Sequence, residues 1–183
     1  MSKRSSYVGS LSPEYAILGF LAQTPAHGYD LHQRLLAELG QVWHISQSQF
    51  YNLLKRLENQ GDIIGALQEQ PKRPHRRVFQ LTDPGRARFE NWMGTPTGSS
   101  VRAIRVEFIT RLYFARLESP ERAGGLIQVQ MEETQRGLVQ LCHKLDNIPD
   151  NQTFNRLGLE LRVRQLSSVL EWLEYCKTKL INT

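Results

Sequence analysis

Apolar positions recur along the chain with two different periods, and the switch between them marks out its elements. Ser12-Pro13, a capping residue followed by proline, opens a helix carrying Tyr15, Ile17, Leu18 and Leu21, which stops near Thr24-Pro25. A second helix runs from Gly28 to Leu39, with Tyr29, Leu31, Leu35 and Leu36 as its apolar side and Gly40 as its terminator. The third starts at Ser46, where Gln49 completes a capping box, and carries Phe50, Leu53, Leu54 and Leu57 at helical spacing until Gly61. After Gly61 the pattern becomes extended: Ile63 to Leu67 and Arg77 to Leu81 read as a β-hairpin, with Pro71 and Pro74 stiffening the tip between them. Thr82-Asp83-Pro84 then caps a fourth helix that runs through Phe89 and Trp92 to Met93.

The run Gly94 to Ser100 places a domain boundary between residues 1–94 and 101–183. Beyond it three helices are predicted. The first packs through Val101, Ile104, Phe108 and Leu112 and ends before Ser119-Pro120, which caps the second. The second carries Ile127, Met131, Thr134, Leu138, Leu141 and Leu145. The last carries Leu159, Val163, Leu166, Leu170, Leu173, Lys177 and Leu180. Both stripes are of heptad type, and the short join at 147–152 makes the two helices an antiparallel pair. A flat hairpin leaves apolar surface uncovered, including Leu161, Val169, Trp172 and Tyr175, and a second copy of the chain is the economical cover. The expected interface is Leu159, Val163, Leu166, Leu170, Leu173 and Trp172.

The expected fold is therefore mostly α: an N-terminal winged helix-turn-helix (three helices, a β-hairpin wing and a fourth helix) followed by a C-terminal antiparallel α-helical dimerisation domain. In that architecture the third helix enters the major groove of DNA. Its outer side, Ser46, Gln47, Ser48, Gln49, Tyr51, Asn52, Lys55 and Arg56, is rich in amides and hydroxyls rather than in the Glu/Lys mixture of a solvated helix. Amides pair bidentately with adenine, Ser bonds either base, and Lys55 and Arg56 are placed for phosphate or guanine. The wing tip adds Lys72, Arg73, His75, Arg76 and Arg77, with only Glu69 to oppose them. Such a loop neutralises phosphates or reaches into the minor groove.

Four segments carry a family resemblance: Leu11-Ser-Pro-Glu-Tyr-Ala-Ile-Leu-Gly-Phe-Leu21, His27-Gly-Tyr-Asp-Leu31, Phe50-Tyr-Asn-Leu-Leu-Lys-Arg-Leu57 and Val78-Phe-Gln-Leu-Thr-Asp-Pro-Gly-Arg86. They resemble the PadR family of bacterial regulators. Val101 to Ala115, with Arg105-Val-Glu-Phe108 and Arg111-Leu-Tyr-Phe-Ala115, looks like the start of the long C-terminal domain in the branch that includes virulence activators. The resemblance implies a dimer held by C-terminal helices on a pseudo-palindromic operator, with Tyr51 on the DNA-reading helix and, in some members, a small aromatic effector. It leaves repression or activation open. The roles given to Lys72 through Arg77 rest on charge alone.

Composition changes this picture little. The 183 residues carry 23 Lys/Arg against 18 Asp/Glu, a net charge of +5, spread over both halves, so any basic feature is local. No apolar run approaches a membrane span or a secretory signal, and a cytoplasmic protein is expected. Cys142 and Cys176 are too few for a disulfide framework, and the five histidines are scattered, with His27 read as a turn or cap residue. No phosphate loop, HExxH or GxSxG motif is present, which argues against an enzyme, a cofactor or a metal site. Trp43, Trp92, Trp172 and Tyr175 are candidates to line an effector cavity, but aromatics in such positions more often serve packing, and no ligand site is assigned. The competing reading is a winged helix used for protein interaction without DNA, which the basic wing disfavours.

Overall fold

The structure, a computed structural model, describes residues 11–68 and 76–181, with Gln68, Arg76 and Ile181 described by their backbone alone. The chain divides into two compact units, Leu11–Thr95 and a second from Pro96 onward. The first contains α1 (Glu14–Gln23), β1 (Ala26–His27), α2 (Gly28–Leu39), α3 (Gln47–Asn59), β2 (Ile63–Gln68), β3 (Arg76–Leu81) and α4 (Asp83–Gly94). Its core joins Ile17, Leu18 and Phe20 of α1, Leu31 and Leu35 of α2, and Phe50, Leu54 and Leu57 of α3, all but sealed from solvent. Each of these side chains stabilises the unit by roughly 1.5–3 kcal/mol on burial. Tyr15 of α1 stacks on Trp92 of α4, ring centroids 4.5 Å apart, and so brings the fourth helix onto the first.

The three strands form one antiparallel sheet in the order β1-β3-β2. β2 and β3 are the two strands of the wing, with Ile63 opposite Leu81, Gly65 opposite Phe79 and Leu67 opposite Arg77. β1 was not expected: the two residues before α2 pair with β3, Ala26 opposite Phe79 and His27 opposite Val78. His27 is also the N-cap position of α2, although its side chain makes no capping bond.

Three local expectations are corrected. Pro13 is the N-cap of α1 rather than its first helical residue. Gly40 keeps right-handed backbone, φ −64°, and so ends α2 without a left-handed turn. The left-handed glycine among the described residues is Gly61, φ 78°, which turns the chain from α3 into β2. Tyr29 and Leu36 are exposed, and the buried face of α2 is Leu31, His32, Leu35 and Leu39. At about 100° per residue both sit on the side of the helix turned away from Leu31.

The second unit begins with one continuous helical stretch, α5 (Val101–Ala103), a π turn (Ile104–Phe108) and α6 (Ile109–Glu118). α7 (Pro120–Asp146) and α8 (Thr153–Ile181) follow and pack along each other. They run antiparallel: Met131 shares a groove with Leu170, and Lys144, further along α7, shares one with Arg162, further back on α8. Leu166 and Leu173 are buried within the chain itself, which removes them from the expected interface with a second copy. Leu159, Val163, Leu170 and Trp172 are half-buried, and the exposed apolar residues of α8 are Phe154, Leu157, Leu161 and Tyr175. Glu107 of the π turn forms a buried ion pair with Arg111 of α6, and Arg111 Nη1 donates to Thr97 Oγ1 at 2.6 Å. Among the described residues no helix is long and apolar enough to cross a membrane.

Candidate nucleic-acid interface

α3 owes its position to its first residues. Gln49 N donates to Ser46 Oγ at 3.3 Å, and Ser46 N donates to Gln49 Oε1 at 2.9 Å, so two backbone donors at the helix start are satisfied reciprocally. With Phe50, Leu54 and Leu57 turned into the core, the helical period puts Gln47, Ser48, Tyr51, Asn52 and Lys55 together on the outer face, all exposed. The interior therefore holds this polar outer face rigidly from behind. Tyr51 is braced edge-on against Phe50, centroids 6.2 Å apart. A Cβ on Gly28 would come 3.0 Å from Tyr51 Cε1, so the glycine lets the start of α2 lie close against α3.

The residues expected to meet DNA do not all stand free. Ser46 and Gln49 are exposed, but each has committed a side-chain oxygen to the cap, leaving the Ser46 hydroxyl proton and the Gln49 NH2 to donate. Arg56 is partly engaged within the protein: its guanidinium is bound to the carboxylate of Glu14 and its Nη2 donates to Ser12 Oγ at 3.3 Å, while half of its side chain stays exposed. Arg77 is half-occupied in the same way. Its Nη2 is paired with Glu58, and its guanidinium lies 5.4 Å from the centre of the Phe79 ring. Lys55, by contrast, has no ion-pair partner among the described residues. Lys72, Arg73 and His75 lie outside the described residues; the backbone of Arg76 pairs with Gln68 at the outer end of the wing strands.

A groove of about 670 Å³ runs between the start of α2, α3 and β3, lined by Tyr29, Tyr51, Lys55 and Arg77, among others. Tyr29 is the functional candidate that sequence reading missed. It was assigned to the apolar side of α2, yet it is 58% exposed and shares this groove with the reading face. Its angular distance from Leu31 is the signal that places it outside the core. His27 borders the same groove, with Nδ1 3.3 Å from the carbonyl oxygen of Arg77. The groove also carries the carboxylates of Asp30 and of Glu58, the latter paired with Arg77, so its phosphate-binding character rests on the Lys55 ammonium and the two phenol hydroxyls.

Among the described residues no group of three or more His, Cys, Asp or Glu could hold a metal ion. Burial raises the pKa of the Cys176 thiol to about 11, so it stays protonated and is a poor nucleophile at neutral pH.

Comparison with known proteins identifies the family. Residues 17–91 match the model of the transcriptional regulator PadR-like family, and residues 104–180 match that of the virulence activator alpha C-terminal domain. The chain is 32% identical over 130 residues to the negative transcriptional regulator PadR of Bacillus subtilis, covering 70% of each protein. It is 26% identical over 175 residues to the probable transcriptional regulator Rv1176c of Mycobacterium tuberculosis, covering 87% of this chain and 93% of that one. The crystal structure of Bacillus subtilis PadR in complex with operator DNA aligns with 91% of this chain and 98% of its own, at 26% identity and a TM-score of 0.44. The chain belongs to the PadR-like family of transcriptional regulators, with a virulence-activator type C-terminal domain, and is a DNA-binding regulator rather than an enzyme.

Proposed function

We infer that this regulator works as a cytoplasmic homodimer on a pseudo-palindromic stretch of double-stranded DNA, each copy reading one half-site. Residues 1–94 bind the DNA and 101–183 hold the dimer. The single observation that carries this reading is α3 itself: a capped helix packed through Phe50, Leu54 and Leu57, with Gln47, Ser48, Tyr51, Asn52 and Lys55 exposed on its outer face. Those side chains supply base-edge contacts, joined by the free donors of Ser46 and Gln49. The wing residues Lys72, Arg73, His75, Arg76 and Arg77 act as a clamp on phosphates that is indifferent to sequence. Arg56 and Arg77 have a lesser part than Lys55, because Glu14 and Glu58 already pair with them.

Dimerisation is assigned to α8, through Leu159, Val163, Leu170 and Trp172 together with the exposed Phe154, Leu157, Leu161 and Tyr175. The name of the Bacillus subtilis relative supports repression as the direction of control. A small aromatic effector belongs to this reading as a family expectation, with no residue assigned to it. Selection of bound duplexes from a random pool by the purified protein tests the whole. The expected product is a two-fold symmetric motif whose half-sites lie about 10 base pairs apart or a multiple of that. Enrichment of an asymmetric single site, or no enrichment, would overturn it.

A further inference from the structure

We propose that the C-terminal unit carries a binding site for a small polyanion, a phosphorylated or multiply carboxylated metabolite, in the cavity between the 98–102 segment, α7 and α8. The cavity holds about 660 Å³, within the range of small-molecule sites. Three elements each contribute one cation to its lining: Arg102 from α5, Lys144 from α7 and Arg162 from α8. None of the three has an ion-pair partner among the described residues.

What sets these three apart is their convergence on one concavity, since Arg105, Arg164 and Lys177 of the same unit also have no ion-pair partner among the described residues. Arg111, Arg122, Arg136 and Arg156 are all paired, with Glu107, Glu118, Glu133 and Asp150. Glu133 also borders the cavity, yet its carboxylate is held by Arg136 at 2.8 Å. Three like charges brought to one concavity repel one another, and an anion with two or more charges reverses that cost. The amides of Gln140 and Gln165 on the same walls add neutral donors, while Leu141 and Leu166 offer an apolar patch to the carbon part of a ligand. A lone chloride or a monocarboxylate would leave most of this charge unmatched. The chemistry therefore favours a compact polyanion, and the site is independent of how the N-terminal unit meets DNA.

The test is calorimetric titration of the full chain with inorganic pyrophosphate and, separately, with citrate, at ionic strength held constant with potassium chloride. Saturable binding of at least one, weakened about tenfold or more in Arg162→Gln and in Lys144→Gln, is expected from the loss of one charge-assisted contact. Arg164→Gln, exposed on α8 but outside the lining of the cavity, should titrate as the wild type does. Binding of pyrophosphate alone points to a phosphorylated ligand, and of citrate alone to a carboxylated one. No saturable binding of either, or undiminished binding in Arg162→Gln with its circular dichroism unchanged, overturns the proposal. Affinity of Arg162→Gln for duplex DNA, expected unchanged, keeps this outcome separate from the fate of the DNA-binding model.

Discussion

Glu14, in the first turn of α1, holds the guanidinium of Arg56 in the last turn of α3, 42 residues further along the chain. The second carboxylate oxygen of Glu14 accepts from Arg88 Nη2 of α4 at 2.8 Å, and Arg88 reaches on to Asp62 beside the turn that follows α3. Burial opposes the charge on Arg88, but hydrogen bonds to Tyr15 and Asp62 and the charges of Asp62 and Glu14 outweigh it and raise its pKa. One buried carboxylate thus ties the far end of α3 to two other helices.

Replacing Glu14 with Gln should therefore destabilise the N-terminal unit. Its carboxylate is almost fully buried, whereas both arginines retain solvent, so a loss of about 1–3 kcal/mol is expected rather than the full cost of orphaning a buried pair. Urea unfolding measures it as a lower midpoint at unchanged slope. A change below about 0.5 kcal/mol would show the network to be incidental.

Lys55 and Arg56 are sequence neighbours with opposite expectations at the DNA. Lys55 is unpaired and faces outward, and Lys55→Ala should reduce the slope of log affinity against log salt by about 0.9. Arg56→Ala should leave that slope nearly unchanged while lowering stability, because its charge is matched by Glu14. Binding measured over a salt series distinguishes the two. Equal effects on the slope would give Arg56 the same part as Lys55.

The turn at Gly61 offers a clean test of backbone strain. Its φ is 78° and a Cβ would meet nothing within 4 Å, so Gly61→Ala carries a conformational cost without a steric one. About 1–2 kcal/mol of stability should be lost, and Gly61→Asn should lose less, since Asn tolerates the left-handed region. Matching losses for the two variants would contradict this account.

Cys176 supplies a pH dependence. Its folded-state pKa is raised to about 11 by burial, so the folded protein binds the thiol proton more tightly than the unfolded chain does. Its contribution to stability is intact below the ordinary thiol range and is lost as pH rises through that range toward 11. Labelling with a thiol reagent at pH 8 should modify the half-exposed Cys142 first and Cys176 only slowly. Labelling of Cys176 as fast as Cys142 would mean that α8 opens readily.

Much of the fold was legible because its signals are local. The capping box of Ser46 and Gln49, the α2 limits Gly28 and Leu39, and the Thr82 cap each depend on residues within one helical turn or on helical periodicity. β1 was invisible because two residues, Ala26 and His27, carry no period, and only β3, some fifty positions later, makes them a strand.

The interface was legible as a composition and less so as a set of free groups. Period and capping alone turn Gln47, Ser48, Tyr51, Asn52 and Lys55 outward, since Phe50, Leu54 and Leu57 must turn in. Whether a cation is available to DNA is a different kind of fact. Arg56 and Lys55 look alike along the chain, and only the packing of α1 against α3 brings Glu14 to one and leaves the other unmatched. The same holds in α8, where a regular leucine stripe is divided by tertiary contacts into Leu166 and Leu173, buried within the chain, and neighbours still partly exposed. The sequence by itself determined the helices, the two wing strands and the polar outer face of α3, because residue period and capping act within a few positions. The tertiary structure decided which charges are matched, because a salt bridge depends on distances that only folding sets.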